Sequence, residues 1–244
     1  MFEPRLALSS LSGQSDAAWA KNGVPHAGLA ILGGIAIDEQ TRAAARKMVE
    51  DRDREEFLPA DPIGFVDREL SFLSEVSIRT GINVRTRTPG PLERVADICA
   101  EHDALLEINA HCRQEEMCAV GAGESLLSDV DRLESQVRTA VSRGATVSVK
   151  VRCEVPGVDL PAVCRRVERA GADVIHVDAM DSEWVLGDID EKTDAFLIGN
   201  NGVRDRSTAV EYLEYGADAV SVGRPSDDPV VLSRVSRAVQ EYFD

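Results

Sequence analysis

The chain is poor in lysine. Lys21, Lys47, Lys150 and Lys192 are the only four in 244 residues, and every other basic residue is an arginine. Against 27 basic residues stand 43 acidic ones, a formal net charge of −16. That balance argues against a broad, non-specific nucleic-acid surface, DNA included, because a polyanion needs a cationic footprint. A local arginine patch stays open. Few lysines on an acidic chain suggest a surface kept hydrated at high salt, and a halophilic source is the expectation by analogy. Cysteine is scarce in the ways that matter for metals: Cys99, Cys112, Cys118, Cys153 and Cys164 form no C-x-x-C pair and have no His-rich companion. Zinc and iron–sulfur sites are therefore not expected. The start MFEPRLALSS lacks the basic residues and apolar stretch of a secretion signal. No apolar run approaches the roughly 20 residues of a membrane span. A reducing, cytoplasmic setting and no membrane partner follow as expectations.

What is present is a regular alternation. Short apolar runs fall at Arg5 to Ser9, His26 to Leu32, Ile82 to Arg85, Ala104 to Ile108, Ala145 to Val151, Val174 to Val177, Ala195 to Ile198 and Ala219 to Val222. Between them lie helical patterns over Asp16 to Lys21, Thr41 to Arg54, Phe65 to Thr80, Leu92 to His102, Ser128 to Val141, Leu160 to Ala170, Thr208 to Tyr215 and Val230 to Tyr242. RAGADVIHV and EYGADAVSV repeat one design, in which Gly ends a helix and a short turn feeds a strand. Eight such units in this length predict a closed, single-domain α/β barrel of the (β/α)8 type spanning 1–244. The charge-dense segment 51–61 reads as a loop or lid, with a solvated connection as the favoured reading. Gly33-Gly34 is expected to close strand 2.

In such barrels the working groups sit where strands end. The polar residues there are Ser9, Arg85, Asn109, Lys150, Asp178, Asn200 and Arg224. A lysine inside a β-branched strand is costly unless paired or ligand-serving, so Lys150 is informative in a chain with so few. Its bland alternative is a salt bridge to Asp178. The stretch Glu107 to Leu127, EINAHCRQEEMCAVGAGESLL, holds a strand, an amide and a thiol three residues apart, then Gly121-Ala122-Gly123, where glycines allow close approach to a ligand. Cys118 reads as packing. His176 reads as structural, pointing to the strand face opposite the site.

This stretch resembles the tRNA-dihydrouridine synthases, FMN-binding (β/α)8 barrels whose strand-4 motif is I-N-x-G-C-P followed by G-A-G-x-x-L-L. Ile108-Asn109, Cys112, Gly121-Ala122-Gly123 and Leu126-Leu127 share its register. Strand 5, Val149-Lys150-Val151-Arg152, is similar to the family V-K-I-R. Ile198-Gly199-Asn200-Asn201-Gly202 and Val222-Gly223-Arg224-Pro225 are similar to I-G-N-G-D and I-G-R-G. The chain departs at His111 for Gly, Arg113 for Pro, Pro225 for Gly, Arg85 for a flavin-contacting Gln, and Asp178 and Met180 for the His and Arg of H-G-R. Since it ends one helix after strand 8, it looks like the short archaeal-type relatives made of the barrel alone.

The resemblance implies FMN, with phosphate at Asn200, Gly202, Gly223 and Arg224, and the ring near Ser9, Asn109 and Lys150; Arg85 and Asp178 replace family flavin-side residues and either hold the flavin in their place or face a different ligand. It makes Cys112 and Lys150 the catalytic residues. Hydride comes from reduced flavin, the thiol of Cys112 supplies the proton across a C=C bond of a uracil-like ring, and Lys150 stands at the flavin edge where charge accumulates. Glu115 and Glu116 are expected near the thiol, keeping it protonated. The implied substrate is tRNA uridine. A free small molecule with NAD(P)H as donor is the alternative. Two further readings are a flavin-free isomerase, lyase or synthase on a phosphorylated metabolite, and a non-catalytic binding protein. The oligomeric state is not encoded legibly.

Overall fold

The computed structural model describes residues 1–52, 54–179 and 181–244. In chain order the elements are β1 (Leu6–Leu8), α1 (Ala17–Gly23), β2 (Leu29–Ala36), α2 (Glu39–Arg52), α3 (Pro62–Ser71), β3 (Arg79–Arg85), α4 (Pro89–Glu101), β4 (Leu105–Asn109), α5 (Glu115–Ala119) and α6 (Ser125–Ser128). Then follow α7 (Val130–Ser142), β5 (Thr146–Arg152), α8 (Leu160–Arg169), β6 (Val174–Asp178), α9 (Val185–Asp190), β7 (Phe196–Asn200), α10 (Arg206–Glu214), β8 (Ala219–Val222) and α11 (Pro229–Phe243). All eight strands are parallel and pair in sequence order, and β8 closes on β1. This is the single-domain (β/α)8 barrel expected from the alternation. None of the helices among the described residues is long and apolar enough to cross a membrane.

Side chains alternate across a strand, so every second residue points into the barrel and the inward residues climb in layers. The floor is apolar: Ala7, Leu29, Ile31, Leu105, Val174, Ile198 and Ala219 pack together, with Phe2 among them. One layer up the lining turns polar, with Asn83, Glu107, Ser148, His176 and Ser221 all at most 1% exposed. The top layer contains Ser9, Arg85, Asn109, Lys150, Asp178 and Asn200 at the strand ends. The outward residues of the strands join the helices in the large surrounding core.

Several boundaries differ from the sequence reading, each for a local reason. The helix expected over Phe65 to Thr80 is α3, capped by Asp61 and ending at Ser71. Val76 and Ile78 continue the apolar spacing because the turn after α3 also packs on the core; β3 then starts at Arg79, earlier than expected. Gly33-Gly34 does not close β2. The strand runs through both, with a register shift against β3 between Gly33 and Ile35. A Cβ at Gly34 would sit 2.5 Å from Asn83 Oδ1 and 3.3 Å from Arg85 Nε, so glycine makes room for two inward polar side chains. The short α9 between β6 and β7 was not anticipated.

Candidate active site at the barrel mouth

Two cavities open on the C-terminal face, of about 590 and 420 Å³, and they share Ser10, Leu11, His111, Asp178, Asn201 and Arg224. The first is lined by Arg85, Asn109 and Cys112, the second by Ser9, Lys150, Asn200, Gly202 and Gly223. All ten candidate residues from the sequence thus border one continuous cleft. The thiol and the lysine lie on the same rim.

Each is held by identifiable contacts. The Asn109 side chain accepts from the Cys112 backbone N–H at 3.0 Å and closes the turn that presents the thiol. The thiol is nearly buried and donates to Gln114 Oε1. Gly123 serves this turn rather than a ligand: a Cβ there would lie 2.2 Å from the Cys112 carbonyl oxygen, which accepts from Glu124 N–H at 2.9 Å. Gly121 is likewise pressed on Arg132. The glycine-rich stretch therefore fits the thiol loop against the following helices, correcting the expectation of a ligand contact. Glu115 and Glu116 are also placed differently than expected, since both pair with Arg52 of α2. Cys118 donates from its sulfur to the Cys112 carbonyl at 3.5 Å.

Lys150, 1% exposed, reaches across the barrel from β5 and donates to Ser9 Oγ after β1. Burial pulls its pKa below the ordinary value. Among the described residues it makes no ion pair, so the alternative of a Lys150–Asp178 bridge is set aside. Asp178 instead accepts from Asn201 Nδ2 at 2.8 Å and lies 3.3 Å from His111 Nδ1. Burial pushes Asp178 up, but His111, Asn201 and Lys150 outweigh it and hold the carboxyl at about 2. Burial lowers His111 to about 4 despite Asp178 beside it. The pair, a neutral imidazole beside an ionised carboxylate, borders both cavities. Met180, the other departure at this strand end, lies outside the described residues.

Arg85 carries the least expected arrangement. Its Nη2 donates to Glu56 Oε2 at 2.6 Å, Ser12 Oγ at 2.6 Å and the Gly34 carbonyl at 2.7 Å. Both Arg85 and Glu56 side chains are 1% exposed. Burial works against the guanidinium charge, but Glu56 outweighs it and the pKa is raised. Nε and Nη1 have no hydrogen-bond partner among the described residues. The pair corrects the reading of 51–61 as a solvated connection: α2 extends to Arg52, Asp53 lies outside the described residues, and the segment from Arg54 folds over the mouth with Glu56 tucked beneath it.

At the other end, β7 turns sharply through Asn201 (φ 91°) and Gly202 (φ 70°). Tyr212 of α10 braces this turn, its hydroxyl 2.8 Å from the Asn200 carbonyl and 2.9 Å from that of Asn201. After β8, Gly223 leads into a 3-10 turn, Arg224–Asp227, with Pro225 near its start. Added Cβ atoms at Gly202 and Gly223 would meet nothing within 4 Å.

His176 was misplaced by the sequence reading. It faces the interior, fully buried, with Nδ1 2.7 Å from Glu107 Oε2 and Nε2 2.8 Å from Ser221 Oγ. Two residues along a strand return to the same face, so His176 stands directly below Asp178. Asn83 and Glu107 belong to the same layer and were overlooked. Their signal was readable, in the inward alternation of Gly81-Asn83-Arg85 and Leu105-Glu107-Asn109. Glu56 had no comparable signal.

Fold and mouth together bring a thiol, an amine and two glycine-containing turns to one rim of a barrel. The model described as Dihydrouridine synthase (Dus) matches residues 74–244, and the chain belongs to that family of flavin-type barrel oxidoreductases. An uncharacterised protein of Methanocaldococcus jannaschii is 26% identical over 236 residues, 91% of this chain and 89% of that one. The catalytic subunit of dihydroorotate dehydrogenase B (NAD(+)) from Halalkalibacterium halodurans is 24% identical over 211 residues, 73% of this chain and 68% of its own. Among solved structures, a FabK mutant of Thermotoga maritima superposes with a TM-score of 0.63 at 16% identity, over 94% of this chain and 64% of that chain. That likeness speaks to the fold alone.

Proposed function

We propose that the protein is an FMN-dependent oxidoreductase that adds or removes hydride and a proton across a C=C bond of a uracil-like ring. The observation that carries this is Arg85: two unpartnered donors, buried at the mouth beside Cys112, in a chain of the dihydrouridine synthase family. A buried donor without a partner is rare in a finished structure and points to a ligand. Arg85 and Lys150 would hold the electron-rich part of the flavin ring; Asn200, Gly202, Gly223 and Arg224 would hold the phosphate, with Pro225 removing one amide donor. Ser9 orients Lys150, Asn109 orients the thiol loop, and Asp178 with His111 lines both cavities where they meet. When bound, FMN supplies the hydride chemistry. Cys112 supplies the proton from a thiol that already donates to Gln114.

Both tRNA uridine and a free ring remain within this chemistry. One observation favours the free ring. Arg54, Arg85, Arg113 and Arg152 line the thiol cavity of a chain carrying −16 overall. A free ring that carries an anionic substituent meets those arginines, while a long polyanion also meets the acidic surface. NAD(P)H is the proposed donor, supported by the NAD(+) in the name of the dehydrogenase relative.

The test is to offer FMN to the purified protein and follow the visible spectrum and flavin fluorescence, then to titrate with NADH and NADPH without oxygen. Binding is expected with loss of fluorescence. A protein that leaves excess FMN free sinks the reading and favours a flavin-free enzyme for a phosphorylated metabolite. Turnover of free pyrimidines against tRNA, and dihydrouridine in tRNA from a deletion strain, separate the two substrates.

A further inference from the structure

A hydrogen-bonded line crosses the barrel one layer below the mouth. Glu107 accepts from Asn83 Nδ2 at 2.7 Å and Ser148 Oγ at 3.2 Å, and its Oε2 lies 2.7 Å from His176 Nδ1. His176 Nε2 is 2.8 Å from Ser221 Oγ, which is 2.8 Å from the side-chain amide of Asn200. Asn200 ends the line at the cavity that also holds Gly202 and Arg224.

Counting protons leaves two arrangements that satisfy every contact of this line at its short distance. An ionised carboxylate only accepts, so His176 Nδ1 carries a proton in both. Ser221 has one hydroxyl proton to give. With His176 protonated on both nitrogens, Ser221 accepts from Nε2 and donates to Asn200 Oδ1, as the atoms are placed here. The Asn200 NH2 group then faces the cavity. With Nε2 bare, Ser221 donates to it, Asn200 turns over to donate Nδ2 to Ser221, and its oxygen faces the cavity. The remaining combinations set donor against donor or acceptor against acceptor in a dry interior, or divert the Ser221 proton to the Gly199 carbonyl at the longer distance of 3.4 Å. The thiol end does not share this freedom. Asn83 donates to Glu107 in both cases, so its Oδ1 always accepts from Asn109 Nδ2, at 2.9 Å, and Asn109 Oδ1 always faces the Cys112 N–H.

We propose that His176 is a positioning residue: the proton on its Nε2 decides whether Asn200 offers the ligand a donor or an acceptor. An anion bound at Asn200 therefore draws one proton from solvent onto His176. This rests on reading the 200–202 and 223–224 turns as an anion site. The charged groups around the ring are Glu107 from β4, Lys150 beside it on β5, and Asp178 further along β6. Burial, then Lys150, disfavours the charged ring; Glu107 and Asp178 favour it, and the balance lies on the neutral side. The anion at Asn200 tips it back.

The probes are inorganic phosphate and FMN, on the full chain with ¹⁵N-labelled histidine. Two-bond ¹H–¹⁵N spectra report the proton on each ring nitrogen. The His176 signal is assigned by its loss in His176→Gln or, if that variant does not fold, by elimination through His26→Gln, His102→Gln and His111→Gln. The expected result is a neutral Nδ1–H ring in free protein and a doubly protonated ring with FMN bound. Calorimetry in two buffers of different ionisation heat should read an uptake approaching one proton per FMN. Affinity should fall close to tenfold per pH unit between the free-state pKa of His176 and its higher pKa in the complex, and level off above the latter. Ser221→Ala should abolish the uptake. FMN binding with an unchanged His176 ring and no proton uptake overturns the proposal. If neither probe binds, the anion-site reading fails separately. A pH titration of the ligand-free protein then decides the relay: the Asn200 side-chain amide resonances should move with His176 in the wild type and not in Ser221→Ala. An amide that ignores His176 over the whole folded pH range refutes it.

Discussion

Glu56→Gln isolates the charge that holds the 54–61 segment over the mouth. The substitution keeps the shape and removes the anion from a contact of 2.6 Å in which both side chains are 1% exposed. Removing one partner of a buried pair leaves an uncompensated charge and costs about 3–5 kcal/mol. Arg85 keeps Ser12 Oγ and the Gly34 carbonyl as acceptors, which sets the estimate at the lower end, about 3 kcal/mol. For a chain of this length that is a fall in Tm of about 6–12 °C. The double variant Glu56→Leu/Arg85→Met removes both charges and should melt above the single variant, because an apolar pair escapes the desolvation cost that a lone guanidinium bears. Thermal unfolding followed by circular dichroism reads both, and limited proteolysis should cut the segment faster in Glu56→Gln. A single variant melting within about 2 °C of the wild type, below about 1 kcal/mol by the same conversion, refutes the buried anchor.

The remaining predictions concern the site and its pH dependence. Burial raises the Glu107 carboxyl, but the charge and hydrogen bond of His176, which is protonated at acid pH, then Lys150 and the Asn83 amide, outweigh that and take it from 4.5 to about 2. Its stabilisation is thus full above pH 4.5 and lost as pH falls toward 2, a loss of up to about 3 kcal/mol. Urea unfolding from pH 6 to 3 should show that slope in the wild type and a flatter one in Glu107→Gln; equal slopes count against the assignment. His111 should titrate near 4 by NMR, and a midpoint at 6.5 or above would show that burial does not govern it. Cys112→Ala should bind FMN like the wild type while turnover falls about 10²–10⁴-fold; turnover within tenfold removes the thiol as proton donor. Lys150→Met should weaken FMN binding about 10–150-fold, the equivalent of about 1.5–3 kcal/mol for a charge-assisted hydrogen bond, and unchanged affinity would place the amine away from the ring.

The barrel was legible because its strands are short, apolar and evenly spaced, and because Gly-Ala-Asp turns mark two of the helix-to-strand joints. The rim was legible where one residue type carries the message, as with Lys150 among so few lysines or Asn109 three residues before a thiol. Pairings across the barrel were not. Nothing in the order of residues says that Lys150 meets Ser9, 141 positions away, or that Arg85 meets Glu56 in a segment of mixed charge. The α3–β3 border blurred because turn residues that pack on the core keep a helical apolar spacing. His176 is a different case: the period-two rule already placed it below Asp178, and the rule was misapplied.

Tyr212 ties the rim to the outside of the molecule. It is rooted in an outer helix, fits against Gly199, where a Cβ would come within 2.3 Å of its ring, and grips two consecutive carbonyls of the turn after β7. The geometry of that turn is thus set partly by how α10 seats on the barrel wall. Alterations to the exterior that tilt this helix will be felt at Asn200, and a search for remote variants that retune ligand affinity should begin on the back of α10.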